Sequence, residues 1–305
     1  MSSHANIAAG GRTGRLLLLS LGLLLGLSGA LSAQGNGGDT LYFIQVSDTH
    51  WGFNNPKINP DYAGTLKKGI AEINALQGTP DFLIFSGDET HITNDDAVRR
   101  QRMTQFKDIV SELNVQTIKF IPGEHDASLD NAKDYKEFFG DTHYTFEVKG
   151  IHFIVLDNVT NTDGSLGDEQ LSWLAGVLNT IDKASPVVLF AHRPLLDVFP
   201  AWGWRTKDSA QALALLKPFK NATLFYGHIH QEREDAAEGF TQHAAQGMMF
   251  PLPAPGSVDK PNPLPWDPSH PYRGLGFRTV KLDLKTGQFT ITEYGITAEG
   301  KLTLR

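Results

Sequence analysis

Five short stretches carry clustered imidazoles and carboxylates: Asp48-Thr49-His50, Gly87-Asp88, Gly123-Glu124-His125-Asp126, His192, and Gly227-His228-Ile229-His230. Each alone is ordinary. Gly-Asp is a common turn, a lone strand-end His is more often a surface residue than a ligand, and a polar cluster such as Glu124-His125-Asp126 is usually solvated. Together they offer several imidazoles and carboxylates, and the chain has no Cys to add a thiolate. A collection of N and O donors without sulfur suits Zn, Mn, Fe or Co better than a structural thiolate zinc site.

The elements that must position these residues can be read from the hydrophobic pattern. β-rich apolar runs at 41–46, 81–86, 116–122, 186–191 and 222–226 each end at one of the five stretches. Helical stripes alternate with them: Leu66, Ile70, Ile73 and Leu76 with Gly78 as a stop, then Val98, Met103, Phe106, Ile109 and Leu113, then Leu171, Leu174, Leu178 and Ile181. A weaker helical window covers 131–139, and another helix covers 207–217. Residues 144–148 and 151–156 predict a hairpin turning at Lys149-Gly150, and a closing hairpin turns around Lys285-Thr286-Gly287. In open α/β sheets the C-terminal strand ends share one edge, where ligands bind. Five strand ends would therefore deliver their ionisable side chains to a common place, with glycines permitting the tight turns.

Segment 251–271 is too rich in Pro for a helix or a central strand to pass through it, and is expected as a loop across one face, ordered or mobile. No internal repeat or strong linker interrupts the chain. Arg12 and Arg15 precede an apolar run that ends in small residues, the pattern of a secretory signal over 1–33 cleaved after Ala30 or Ala33. A linker (34–40) and one α/β domain (41–305) would follow. The expected location is periplasmic or secreted, with no membrane attachment after cleavage. An uncleaved anchor is the second choice, because the run is marginal against a hydrocarbon core of roughly 30 Å. The net charge of −7 argues against a broad nucleic-acid-binding surface. A phosphate substrate would need a locally positive site, which a metal can supply.

The ordered set Asp48-x-His50, Gly87-Asp88, Gly123-Glu124-His125-Asp126, His192 and Gly227-His228-x-His230 resembles the calcineurin-like metallophosphoesterase superfamily over about residues 42–231. In layout it is most similar to bacterial class III cyclic-nucleotide phosphodiesterases. The resemblance implies a four-layer α-β-β-α sandwich with two mixed β-sheets flanked by helices. It implies two divalent or mixed-valence transition-metal ions (Mn, Fe, Zn or Co). Asp48, His50 and His230 would hold one, His192, His228 and Glu124 the other, and Asp88 would bridge them. It further implies in-line hydrolysis of a small phosphoester by a metal-bridging hydroxide, with His125 as proton donor to the leaving group and Asp126 orienting that ring.

Two positions depart from the family pattern. Glu124 stands where the family has Asn, which lowers the positive charge of the centre and would favour monoanionic diesters over dianionic monoesters, or a trivalent metal. His91 follows Asp88 by three residues, where the purple acid phosphatase branch carries a metal-binding Tyr. It is an extra ligand, a substrate contact, or simply a polar residue opening the next helix. Arg193 reads as a surface residue. Trp202, Trp204 and Trp266 read as a lid or subunit contact ahead of a substrate pocket. His143, His152 and His243 read as structural, His270 is open, and the sequons at Asn158 and Asn221 carry little weight. The leading function is an exported phosphodiesterase, possibly also acting on monoesters. The alternative is a metal-stabilised, non-catalytic scaffold of the same fold.

Overall fold

A computed structural model describes residues 38–302, so the signal segment 1–33 and most of the linker lie outside the described residues. The first half alternates β1 (Thr40–Val46), α1 (Thr65–Asn74), β2 (Phe82–Phe85), α2 (Asp96–Val110) and β3 (Ile118–Phe120). The short helices α3 (Glu124–Ala127) and α4 (Lys133–Phe139) lead to the hairpin of β4 (Tyr144–Val148) and β5 (Ile151–Val155). Next come α5 (Gly167–Asn179), β6 (Val187–Phe190), α6 (Ser209–Leu216) and β7 (Ala222–Tyr226). The chain ends with β8 (Arg233–Ala237), β9 (Phe240–Ala244), β10 (Gly276–Asp283) and β11 (Phe289–Gly295).

Two sheets result, in the orders β11-β10-β1-β2-β3 and β4-β5-β6-β7-β9-β8. Both are mixed: β1 runs parallel to β2 and antiparallel to β10, while β5, β6, β7 and β9 are mutually parallel with antiparallel strands at both edges. β1, β2, β6 and β7 are buried on both faces, which is why they read as continuous apolar runs and not as alternating ones.

Three apolar clusters define the layers. Leu66, Ile70 and Ile73 of α1, with Phe106 and Ile109 of α2, pack on Ile44, Val46, Leu83 and Phe85 of the first sheet. Leu171, Leu174 and Leu178 of α5, with Ala212 and Leu216 of α6, cover Leu189 and Leu224 of the second. Between the sheets, the Phe43 ring stacks on Phe82 at 5.0 Å and meets Phe153, Phe190 and Phe225 edge-on. The architecture is the four-layer α-β-β-α sandwich.

The single shared edge expected from an open sheet needs correction. Three ligand-bearing strand ends (β1, β2, β3) belong to one sheet and two (β6, β7) to the other. A buried polar bond links the two edges: Gln45 Nε2 of β1 donates to the Tyr226 carbonyl of β7, and within its own sheet to Ser86 Oγ. Hydropathy missed β8 and β9. β8, Arg233-Glu234-Asp235-Ala236-Ala237, is a mostly exposed edge strand with no apolar alternation.

Candidate metal centre

Five non-glycine residues at the strand ends, Asp48, His50, Asp88, His228 and His230, have positive φ, between 40° and 64°. Such backbone is unfavourable for residues with a Cβ and is retained where surrounding structure over-determines it, as at functional sites. The turns are locked across strands: Asp48 N–H donates to the Gly87 carbonyl, and His50 N–H to the Asp88 carbonyl. Gly123 allows the third strand end to approach, since a Cβ there would lie 2.0 Å from the Asp88 nitrogen. The His125 N–H then donates to Asp88 Oδ1 at 2.8 Å, leaving Oδ2 to face inward.

Around that oxygen the side chains converge. Asp88 Oδ2 lies 3.6 Å from His50 Nε2, 3.4 Å from His192 Nε2 and 4.0 Å from His125 Nε2. On one side, His230 Nε2 is 3.1 Å from Asp48 Oδ1 and 3.3 Å from His50 Nε2. On the other, Glu124 spans His192 Nε2 at 3.1 Å and His228 Nδ1 at 2.8 Å. Asp48, His50 and His230 thus form one ligand-sized group and Glu124, His192 and His228 another, with Asp88 against both.

The residues fit a pair of cations. Buried His228 Nε2 has no hydrogen-bond partner, and Glu124 Oε2 and His192 Nε2 face each other at 3.1 Å without hydrogen-bond geometry, an expensive state unless something else engages them. The outer ring nitrogens are fixed: His192 Nδ1–H donates to the Ser86 carbonyl at 2.8 Å and His230 Nδ1–H to the Phe250 carbonyl at 2.6 Å. Each bond sets the tautomer that turns the Nε2 lone pair inward, as metal-ligating histidines require. For His50 the outer partner is His91, Nδ1 to Nδ1 at 3.3 Å. With Nε2 of His50 facing the centre, its Nδ1 carries the proton and donates. Burial, with His125 and Arg102 nearby, holds His91 down at about 4, so it is neutral and able to accept. His91 therefore braces His50 and does not open α2, which begins at Asp96 with Asp95 capping the Val98 N–H.

The electrostatics are those of a site short of positive charge. Burial opposes ionisation of Glu124, but His228 and His192 outweigh it and hold its carboxyl well below the usual range. His192 is pushed well above the ordinary imidazole value, its burial overcome by Asp88 and Glu124. The carboxylates thus favour protons on His192 and His230, whereas burial holds His50 and His228 below the ordinary imidazole value.

Asp126 requires a correction. Its carboxylate does not bond the His125 ring directly. Its oxygens accept from the Glu89 N–H at 2.9 Å and the Thr90 N–H and hydroxyl at 2.7 and 2.9 Å, holding the turn after Asp88. His125 Nδ1 instead accepts from the Ile92 N–H at 3.2 Å, so a neutral ring carries its proton on Nε2, toward Asp88. Asp126 acts on His125 through the 89–92 turn.

Other side chains are also placed. The Arg193 guanidinium is engaged by the Gly203 and Trp204 carbonyls. Trp204 is buried beside His228 and lines the cleft over the centre, whereas Trp202 bonds the Asp259 carbonyl and Trp266 is exposed. His143 packs on Trp173, His152 lies beside Glu147, and His270 is exposed next to Asp267. Asn158 is fully buried, bonded to Arg193 and Thr206, which rules against glycosylation there. Sequence reasoning missed Ser47, whose hydroxyl bonds Asp48 Oδ2, and Phe250, whose ring stacks on both His50 and His230. A signal for Phe250 existed: it follows β9, but that strand was not recognised.

The family model described as calcineurin-like phosphoesterase matches residues 41–232, the span that contains every proposed ligand. The chain belongs to the calcineurin-like phosphoesterase family, whose members are dimetal enzymes. It is 31% identical over 164 residues to a probable glycerophosphodiester phosphodiesterase of Arcobacter nitrofigilis, covering 50% of this chain and 56% of that one. It is 25% identical over 231 residues to a serine/threonine-protein phosphatase of Danio rerio, covering 65% and 72%. The fold matches a dimetal phosphatase structure from Danio rerio with TM-score 0.57 at 15% identity, covering 87% of this chain and 98% of that one.

Proposed function

We propose that this chain is an exported phosphoesterase that uses two transition-metal ions to hydrolyse phosphodiesters, with monoesters as secondary substrates. The observation that carries the reading is the convergence of Asp48, His50, Asp88, Glu124, His192, His228 and His230 to ligand-sharing distances. Asp48, His50 and His230 would hold one ion, Glu124, His192 and His228 the other, and Asp88 both. Bound there, the ions would activate water at neutral pH and neutralise charge on the phosphoryl oxygens. His125 presents its Nε2–H at the mouth of the site, where it can donate a hydrogen bond to the departing oxygen. The Ile92 N–H keeps that ring in register, and Asp126 holds the turn that leads to Ile92. Export rests on the charged and apolar pattern of residues 1–33.

Glu124 supports the diester preference. A third carboxylate beside Asp48 and Asp88 lowers the net charge facing the substrate, which penalises a dianion more than a monoanion. The test is the metal-supplemented protein assayed on bis-p-nitrophenyl phosphate and p-nitrophenyl phosphate. The diester is expected to be the better substrate, and Glu124→Asn is expected to move the ratio toward the monoester by about tenfold, a change of ~1.4 kcal/mol. A ratio unchanged by the substitution would remove the charge argument. Failure of the loaded protein to turn over either compound would overturn the reading.

A further inference from the structure

The cleft above the ligand cluster has a volume of about 330 Å³, and its walls differ in character from its floor. The floor is ionic. The walls are Phe53, Trp204, Phe250, Leu252, Pro261 and Pro263. Among the described residues no Lys or Arg lines this space. Two guanidiniums near the site are engaged with backbone: Arg193 on the Gly203 and Trp204 carbonyls, Arg102 on the His91 and Ile92 carbonyls at 2.6 and 3.1 Å.

Polar groups of the wall are scarce for the same reason. Proline has no N–H to offer. Along the Pro-rich segment, the Pro251 carbonyl accepts from the Leu264 N–H, and the Leu252 and Pro253 carbonyls accept from the Gln231 side chain. The segment is tied down further by Trp202 Nε1–H on the Asp259 carbonyl at 3.2 Å and the Trp266 N–H on the Lys57 carbonyl at 2.9 Å. A preformed apolar wall cannot compensate a charged or hydroxyl-rich group for the water it would lose.

Resting on the phosphoesterase reading above, we infer that the substrate is a phosphodiester whose retained substituent is uncharged and apolar, an aryl or compact alkyl group seated against this wall. Hydrolysis adds the water oxygen to phosphorus and the proton to the departing oxygen, while the apolar group stays on the phosphate. Leu252, Pro261 and Phe53 are the specificity-determining positions.

The test uses the full metal-loaded chain and three monoanionic diesters that share p-nitrophenol as leaving group and differ in the retained group: phenyl, methyl and 2,3-dihydroxypropyl. The expected order in kcat/KM is phenyl above methyl by at least about tenfold, from burial of the ring, with the dihydroxypropyl ester no better than methyl. Leu252→Asp should lower the phenyl-to-methyl ratio several-fold, whereas misfolding or metal loss would slow all three together and leave that ratio unchanged. Calorimetry with two monoanions that have no ester bond supplies a readout without turnover: methylphenylphosphinate should bind more tightly than dimethylphosphinate. Equal rates for the three esters, or preference for the dihydroxypropyl one, would overturn the inference and leave the phosphoesterase reading standing. Absence of turnover on all three would sink that reading instead, and the phosphinate pair would still decide the character of the wall.

Discussion

At the scale of the residue, the centre divides its work among side chains whose roles follow from their hydrogen bonds. His192 and His230 each give one ring proton to a backbone carbonyl and so face the cluster with a lone pair. His125 does the reverse: Nδ1 accepts from the Ile92 N–H and the proton sits on Nε2. A ligand and a proton donor of the same residue type are thus told apart by the outer partner alone. His125→Ala should lower kcat by about 100- to 10,000-fold on alkyl esters, and by much less on p-nitrophenyl esters, whose leaving group needs little protonation. Metal content, measured by elemental analysis, should be unchanged. Equal losses on both ester classes would move the proton-donor role to another group.

At the scale of the element, what was legible depended on whether a segment had a hydrophobic period. The runs ending at Asp48, Asp88, Glu124, His192 and His228 were readable because their strands are apolar and the helices between them carry clear stripes. The assignment of β1, β2 and β3 to one sheet and β6 and β7 to another was not, because strand order is not encoded in local hydropathy. β8 was missed for its charge and β9 for its mixed pattern, Phe240-Thr241-Gln242-His243-Ala244. The role of Asp126 was misread because proximity in sequence to His125 says nothing about which loop its carboxylate faces.

β9 also yields a prediction for stability. His243 is stacked on Phe225 at 5.1 Å, and burial, with Arg278 nearby, lowers it to about 4. The acidic neighbour Glu234, Oε2 at 3.4 Å, is largely exposed and screened by water, so it does not restore the charge. The folded state therefore prefers neutral His243. The stability this contributes is fully present above the unfolded imidazole value near 6.5 and is lost as pH falls toward about 4, amounting to roughly 3 kcal/mol over that window. In urea unfolding of metal-free protein, His243→Gln should flatten the decline between pH 6.5 and 4. Parallel curves for the two proteins would contradict this.

At the scale of the whole molecule, the chain carries a net charge of −7 and gathers three carboxylates and four imidazoles where two sheet edges meet. The two packed sheets anchor five ligand residues, at three strand ends, in left-handed backbone, a conformation that isolated loops would not hold. The Pro-rich segment lies over the result, with Pro261 and Pro263 in the cleft and no regular secondary structure of its own. Fold, turns and cover serve one arrangement. Its central claim is that two cations occupy it together. The most direct measurement is anomalous diffraction from crystals grown with Mn(II). Two peaks are expected roughly 3.5–4 Å apart on either side of the Asp88 carboxylate, one among Asp48, His50 and His230 and one among Glu124, His192 and His228. A single peak, or peaks elsewhere on the molecule, would contradict the account.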